Sequence, residues 1–102
     1  MLHRLEKSIH LHPDYRQAVN VAGQNLLLFC HDDTPYLIEN RCPHMDVPLT
    51  DAHQTKSGLR CKAHGIEFTM PSGEAVGALK DVLPCLKFFP IVYDEQWICV
   101  EL

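Results

Sequence analysis

Two short segments of this chain each combine a thiol with an imidazole: Cys42-Pro43-His44 and Cys61-Lys62-Ala63-His64. Sixteen residues separate His44 from Cys61. Thiolate and neutral imidazole are the common donors to borderline and soft metals. Five cysteines and seven histidines in so short a chain point to metal, and an odd cysteine count argues against a complete disulfide framework. Pro43 fixes its own φ and restricts Cys42, so the first segment is partly preorganised as a tight, non-helical turn. A Cys2His2 set also suits zinc. Common zinc fingers, however, pair cysteine with cysteine and histidine with histidine, whereas each segment here holds one of each.

This arrangement resembles the Rieske domain, whose pattern is C-x-H, a spacer of about fifteen to seventeen residues, then C-x-x-H. The resemblance extends past the four donors. Gly65 and Phe68 follow the second histidine as in the family's HG-x-x-F, and Gly73 closes the next turn. Leu83-Pro84 stands where the family carries a proline-containing loop over its cluster, and residues 89–92 and 97–100 look like its last hairpin. The likeness covers roughly residues 20–102.

What it implies is an all-β fold, an antiparallel β-sandwich of small sheets, with one [2Fe–2S] cluster at the tips of two loops. Cys42 and Cys61 would hold one iron, and His44 and His64 the other. Two thiolates leave the oxidised cluster formally neutral, whereas four would leave it dianionic, so histidine ligation raises the potential. High-potential members add a disulfide beside the cluster and hydroxyls aimed at its sulfurs. Here Val47 and Ala63 stand at the disulfide positions and Ile66 and Phe68 at the hydroxyl positions. The expectation is therefore a potential near the lower end of the Rieske range, about −150 mV. It should be flat near neutral pH and fall in alkali, as the ligand histidines lose their outer protons.

A low potential suits a carrier that takes single electrons from a flavoprotein ferredoxin reductase and passes them to a terminal oxygenase. No nucleophile–base pair or substrate motif marks the chain as an enzyme in itself. Two other readings stay open at this point: a small Rieske-like subunit of a larger reductase such as nitrite reductase, and a zinc-binding structural module. Co-purification with a large enzyme would mark the former, and metal content the latter.

The elements that must position these donors read as short strands. Residues 17–22, 26–30 and 36–39 are β-type runs, broken by turns at 23–25 and at Asp32-Asp33. Residues 59–61 and 66–70 flank the second donor segment, and Ser72-Gly73 marks another turn. Residues 89–93 and 97–102 form a terminal hairpin around 94–96, with Ile98, Val100 and Leu102 on one face and Trp97, Cys99 and Glu101 on the other. The spacing predicts about eight to ten short strands. Residues 1–19 carry the weakest signal.

A length of 102 residues fits one domain, 1–102. No apolar run approaches the ~20 residues of a membrane span, and the first twelve residues lack a signal-peptide core, so a soluble cytoplasmic protein is expected, and the carrier reading adds a monomer that docks transiently. A net charge of −4 speaks against nucleic acid and favours solubility, with weak docking onto positive partner surfaces as a further use. Cys30 and Cys99 are expected to pack as small apolar groups inside strands, and Cys85 to pack in the covering loop. His3, His10, His12, His31 and His53 are expected in solvent, as are the loop acids Asp46 and Asp51.

Overall fold

The computed structural model describes residues 1–43, 47–62, 65–77, 80 and 82–102. Among them are nine strands, a 3-10 turn at Ser8–His10 and no α-helix. The chain divides into two compact units: Met1–Glu39 with Phe88–Leu102, and Asn40–Lys87.

The first unit holds six strands in two antiparallel sheets. In one, β1 (Leu2–Lys7) and β8 (Ile91–Asp94) flank β9 (Trp97–Glu101). In the other, β2 (Arg16–Val21) and β4 (Thr34–Glu39) flank β3 (Gln24–His31). Alternation decides what each strand buries. Leu26 and Leu28 of β3 meet Val21, Leu37, Ile98 and Val100 in one core, which Leu5, Ile91 and Leu102 edge. That shared core makes the two sheets a sandwich, each fully buried leucine contributing about 1.5–3 kcal/mol. The opposite face of β3 is also buried, at Leu27 and Phe29. There Phe29 meets Tyr36 at 5.6 Å between ring centroids, and Tyr36 meets Phe88 at 6.0 Å.

The hairpins sharpen the sequence-based boundaries. The β2–β3 turn is Ala22-Gly23, with φ of 51° and 81°, so β3 starts at Gln24 and absorbs two residues assigned to the turn. Two left-handed residues in a two-residue loop match the right-handed twist of the flanking strands. Asp32-Asp33 forms the β3–β4 turn in the same way, with φ of 53° and 62°. The final hairpin turns at Glu95-Gln96. Strand β1, for which the sequence carried little signal, pairs antiparallel with β9 through a bulge between Arg4 and Glu6. It completes the sheet that Trp97–Glu101 would otherwise leave with an open edge.

Three side chains depart from expectation, the first being His3, which is half-buried in β1. His31 is buried, at 7% exposure, because it ends the central strand of its sheet rather than lying in the turn beyond it. Cys85 is exposed, because the next residue, Leu86, takes the inward place, its amide bonded to the Gly73 carbonyl at 2.9 Å. Cys30 and Cys99 are buried in β3 and β9, and His10, His12 and His53 are exposed.

The second unit holds the third sheet, β5 (His53–Gln54), β6 (Gly58–Arg60) and β7 (Glu67–Thr69).

Candidate metal centre

Both cysteines of the two donor segments lie in the second unit, and both are buried: Cys42 at 0% and Cys61 at 1% exposure. Each opens a loop closed by the same bond. The Cys42 amide donates to the Val47 carbonyl at 2.8 Å, and the Cys61 amide to the Ile66 carbonyl at 2.7 Å. Each closure spans six residues and contains one of the predicted histidines. His44 and His64 themselves lie outside the described residues, as do Asp46 and Ala63. Among the described residues no group of three or more His, Cys, Asp or Glu side chains gathers around a common point.

The Cys61 loop stands on the β6–β7 hairpin. Leu59 pairs with Phe68 and Arg60 with Glu67, and Leu59 and Phe68 are fully buried. Gly58 allows the two strands to meet, because a Cβ there would overlap the Phe68 carbonyl oxygen. Beneath the hairpin, Thr55 holds three groups. Its amide donates to the Gly58 carbonyl at 2.7 Å, its Oγ1 accepts from the Gly58 amide at 3.0 Å, and that hydroxyl donates to Glu67 Oε2 at 3.0 Å. Arg60 reaches the other Glu67 oxygen at 3.4 Å. Above it, the Gly65 amide folds back to the Cys61 carbonyl at 2.8 Å, with φ of 69°, a turn that a β-carbon would strain.

The donor chemistry fits a thiolate-ligated iron–sulfur group. None of the five cysteines is in a disulfide, and the two in the motif are withdrawn from water on hydrogen-bonded backbone. Val47 and Ile66, which close the loops, are half-buried, and the fully buried Phe68 brings no hydroxyl. Electrostatically this unit differs from the chain as a whole. Residues 40–87 carry six basic and five acidic side chains, so the excess of negative charge belongs to the other unit. Arg41 and Lys62, next to the two cysteines, are both exposed. Docking onto a positive partner surface therefore does not follow from the net charge. Among the described residues no helix is long and apolar enough to cross a membrane.

The sequence reading overlooked Gly58 and Asn40, which shape the feet of the two loops. Each left a trace: a glycine at the start of a short strand, and an amide two residues before a donor cysteine.

Solved structures share this architecture. The Sphingomonas yanoikuyae B1 ferredoxin superposes with a TM-score of 0.81 at 23% identity, over 97% of this chain and 96% of that one. The ferredoxin of carbazole 1,9a-dioxygenase from Nocardioides aromaticivorans IC177 gives 0.78 at 22% identity, over 95% and 93%. A chain from the complex of reduced oxygenase and oxidized ferredoxin in carbazole 1,9a-dioxygenase gives 0.82 at 20% identity, over 97% and 91%. No curated protein matches the sequence. The family model of the Rieske [2Fe-2S] domain matches residues 2–90, which carry both loops and strands β1 to β7, and the chain belongs to that family.

Proposed function

We propose that this protein is an electron carrier, not itself a catalyst, holding one Rieske [2Fe–2S] cluster through Cys42 and Cys61 on one iron and His44 and His64 on the other. When bound, such a cluster takes up and gives back one electron. The observation that carries the reading is the pair of buried thiols, each opening a six-residue loop closed by the same hydrogen bond, in a chain of the Rieske family. The backbone closures at Cys42 and Cys61 would hold the two thiolate donors in place in both redox states, which keeps rearrangement on transfer small.

The chain acts as one domain, 1–102, in the cytoplasm, as a monomer that docks transiently. It accepts electrons from a flavoprotein reductase and delivers them to a terminal oxygenase. Similarity to ferredoxins solved as components of dioxygenase systems, one of them in complex with its oxygenase, supports that direction of flow.

The deciding experiment is iron and acid-labile sulfide analysis, with the electron paramagnetic resonance spectrum of the dithionite-reduced protein. About two irons and two sulfides per chain with a rhombic, low-average-g signal are expected. One zinc per chain and no signal would overturn the reading.

A further inference from the structure

We propose that Asn40 is the positioning residue of the first loop: its buried carboxamide replaces the strand pair that this loop lacks, and so fixes the Cys42 thiol. The proposal rests on the cluster reading above. The two loops are closed alike at their mouths but not at their feet. Outside Cys61 and Ile66 stands a β-ladder, with Arg60 facing Glu67. Outside Cys42 and Val47 there is none, since residues 41–43 and 47–52 contain no strand.

Asn40 spans that gap. Its Oδ1 accepts the Leu49 amide at 2.8 Å, and its Nδ2 donates to Thr50 Oγ1 at 2.8 Å. Asn40 is 5% exposed and Leu49 fully buried, so the Leu49 bond lies away from competing water, while the bond to half-buried Thr50 is partly buried. The clamp grips the chain two residues before Cys42 and two residues after Val47, and the Cys42–Val47 bond nests inside it. Directly beyond, the Ala52 amide returns to the Leu49 carbonyl at 3.0 Å, so the held segment turns at once. A carboxamide suits this task because one rigid plane offers both an acceptor and a donor. Truncation would leave the Leu49 amide buried without its partner, and the loop would relax to find one.

The test compares the iron-loaded protein with Asn40→Ala, Asn40→Asp and Thr50→Val. Val100→Ala, a core truncation in the other unit, serves as a control for general destabilisation. Two quantities are read: the rate at which the visible absorbance of the cluster decays at fixed temperature, and the resonance line shape of the reduced protein. Asn40→Ala should lose its cluster about ten-fold faster, equivalent to about 1.4 kcal/mol, with a broadened signal. Asn40→Asp still accepts from the Leu49 amide and can accept from the Thr50 hydroxyl, so it should return to within about two-fold of the parent. Thr50→Val removes one of the two bonds and should fall between, which keeps the test decisive if Asn40→Ala does not fold. Val100→Ala should leave both readouts unchanged. Decay and line shape in the Asn40→Ala or Thr50→Val protein that match Val100→Ala would overturn the proposal. A parent protein with neither iron nor signal would instead overturn the cluster reading itself.

Discussion

The amide of Cys61 is bonded to the carbonyl of Ile66 at 2.7 Å, and this bond turns the end of a β-hairpin into a loop that opens on a buried thiol. Cys42 and Val47 repeat the relationship at 2.8 Å without a hairpin beneath them. The two cysteines therefore differ from Cys30, Cys85 and Cys99 in backbone setting, not only in sequence context. Serine at position 42 or 61 is expected to bring near-complete loss of iron and of the reduced-state signal. Cys30→Ser, Cys85→Ser and Cys99→Ala are each expected to retain about two irons per chain. Iron analysis of the five variants checks this.

The cluster environment sets the potential. Loops closed by Val47 and Ile66, with Phe68 buried in β7, offer no side-chain hydroxyl to the cluster sulfurs. A midpoint of about −150 mV is expected, and redox titration followed by visible circular dichroism measures it. A midpoint above zero would contradict this account of the surroundings.

Glu6 supplies a pH dependence in the other unit. Its carboxylate takes a bond from His10 Nδ1 at 2.8 Å, from the Lys7 amide at 2.9 Å and from the Tyr15 hydroxyl at 3.0 Å. The His10 bond above all, then the Lys7 amide, hold its pKa below the ordinary 4.5. Burial, with the bond to Glu6, pushes the Tyr15 phenol up, so it remains a donor well into alkali. A depressed carboxylate stabilises the fold above its unfolded pKa, and that contribution disappears as pH falls through the folded value. Glu6→Gln should therefore melt earlier than the parent at neutral pH, and the gap should close as pH falls below 4.5 and through the lowered folded pKa. An unchanged gap in acid would exclude the carboxylate as its source.

Gly58→Ala tests the close approach of β6 and β7. The new methyl group would overlap the Phe68 carbonyl, which is backbone and cannot swing aside. A loss of about 2 kcal/mol or more is expected, read from the denaturant midpoint, together with reduced iron retention as the hairpin under Cys61 opens.

Ala22 is the opposite case. It holds φ of 51° in a two-residue turn whose next residue is Gly23. Asparagine tolerates this region better than alanine, and Asn-Gly is the preferred pair for such turns. Ala22→Asn is expected to add about 0.5 kcal/mol, a rise of about 3 °C in Tm. A lower Tm would show that Ala22 has a packing role the turn geometry does not reveal.

The all-β class and the donor cysteines were legible in the sequence for different physical reasons. Alternation and paired turn residues mark strands such as β3 and β4, because a strand buries every second side chain and a tight turn needs φ that few residues adopt. Turn registers slipped by a residue or two at Ala22-Gly23 and Glu95-Gln96, since neighbouring polar residues look alike in a local reading. Strand β1 was not assigned because its pairing with β9 joins the two ends of the chain, a partnership that local composition does not encode. His31 shows the same limit: its burial follows from being on a central strand. Asn40 was missed because its meaning lies in the two groups it reaches, nine and ten residues away.

The exposure of Cys85 has a practical side. The other four thiols are buried, so a maleimide dye added to the folded protein should couple at a single position. One fluorophore at a known place in a chain of this size turns partner recognition into an optical measurement. A candidate reductase or oxygenase could be titrated against the labelled carrier and its affinity read from anisotropy, before any turnover assay exists. The same thiol makes storage conditions matter, since two exposed cysteines on separate molecules can oxidise to a covalent dimer that would masquerade as an oligomer.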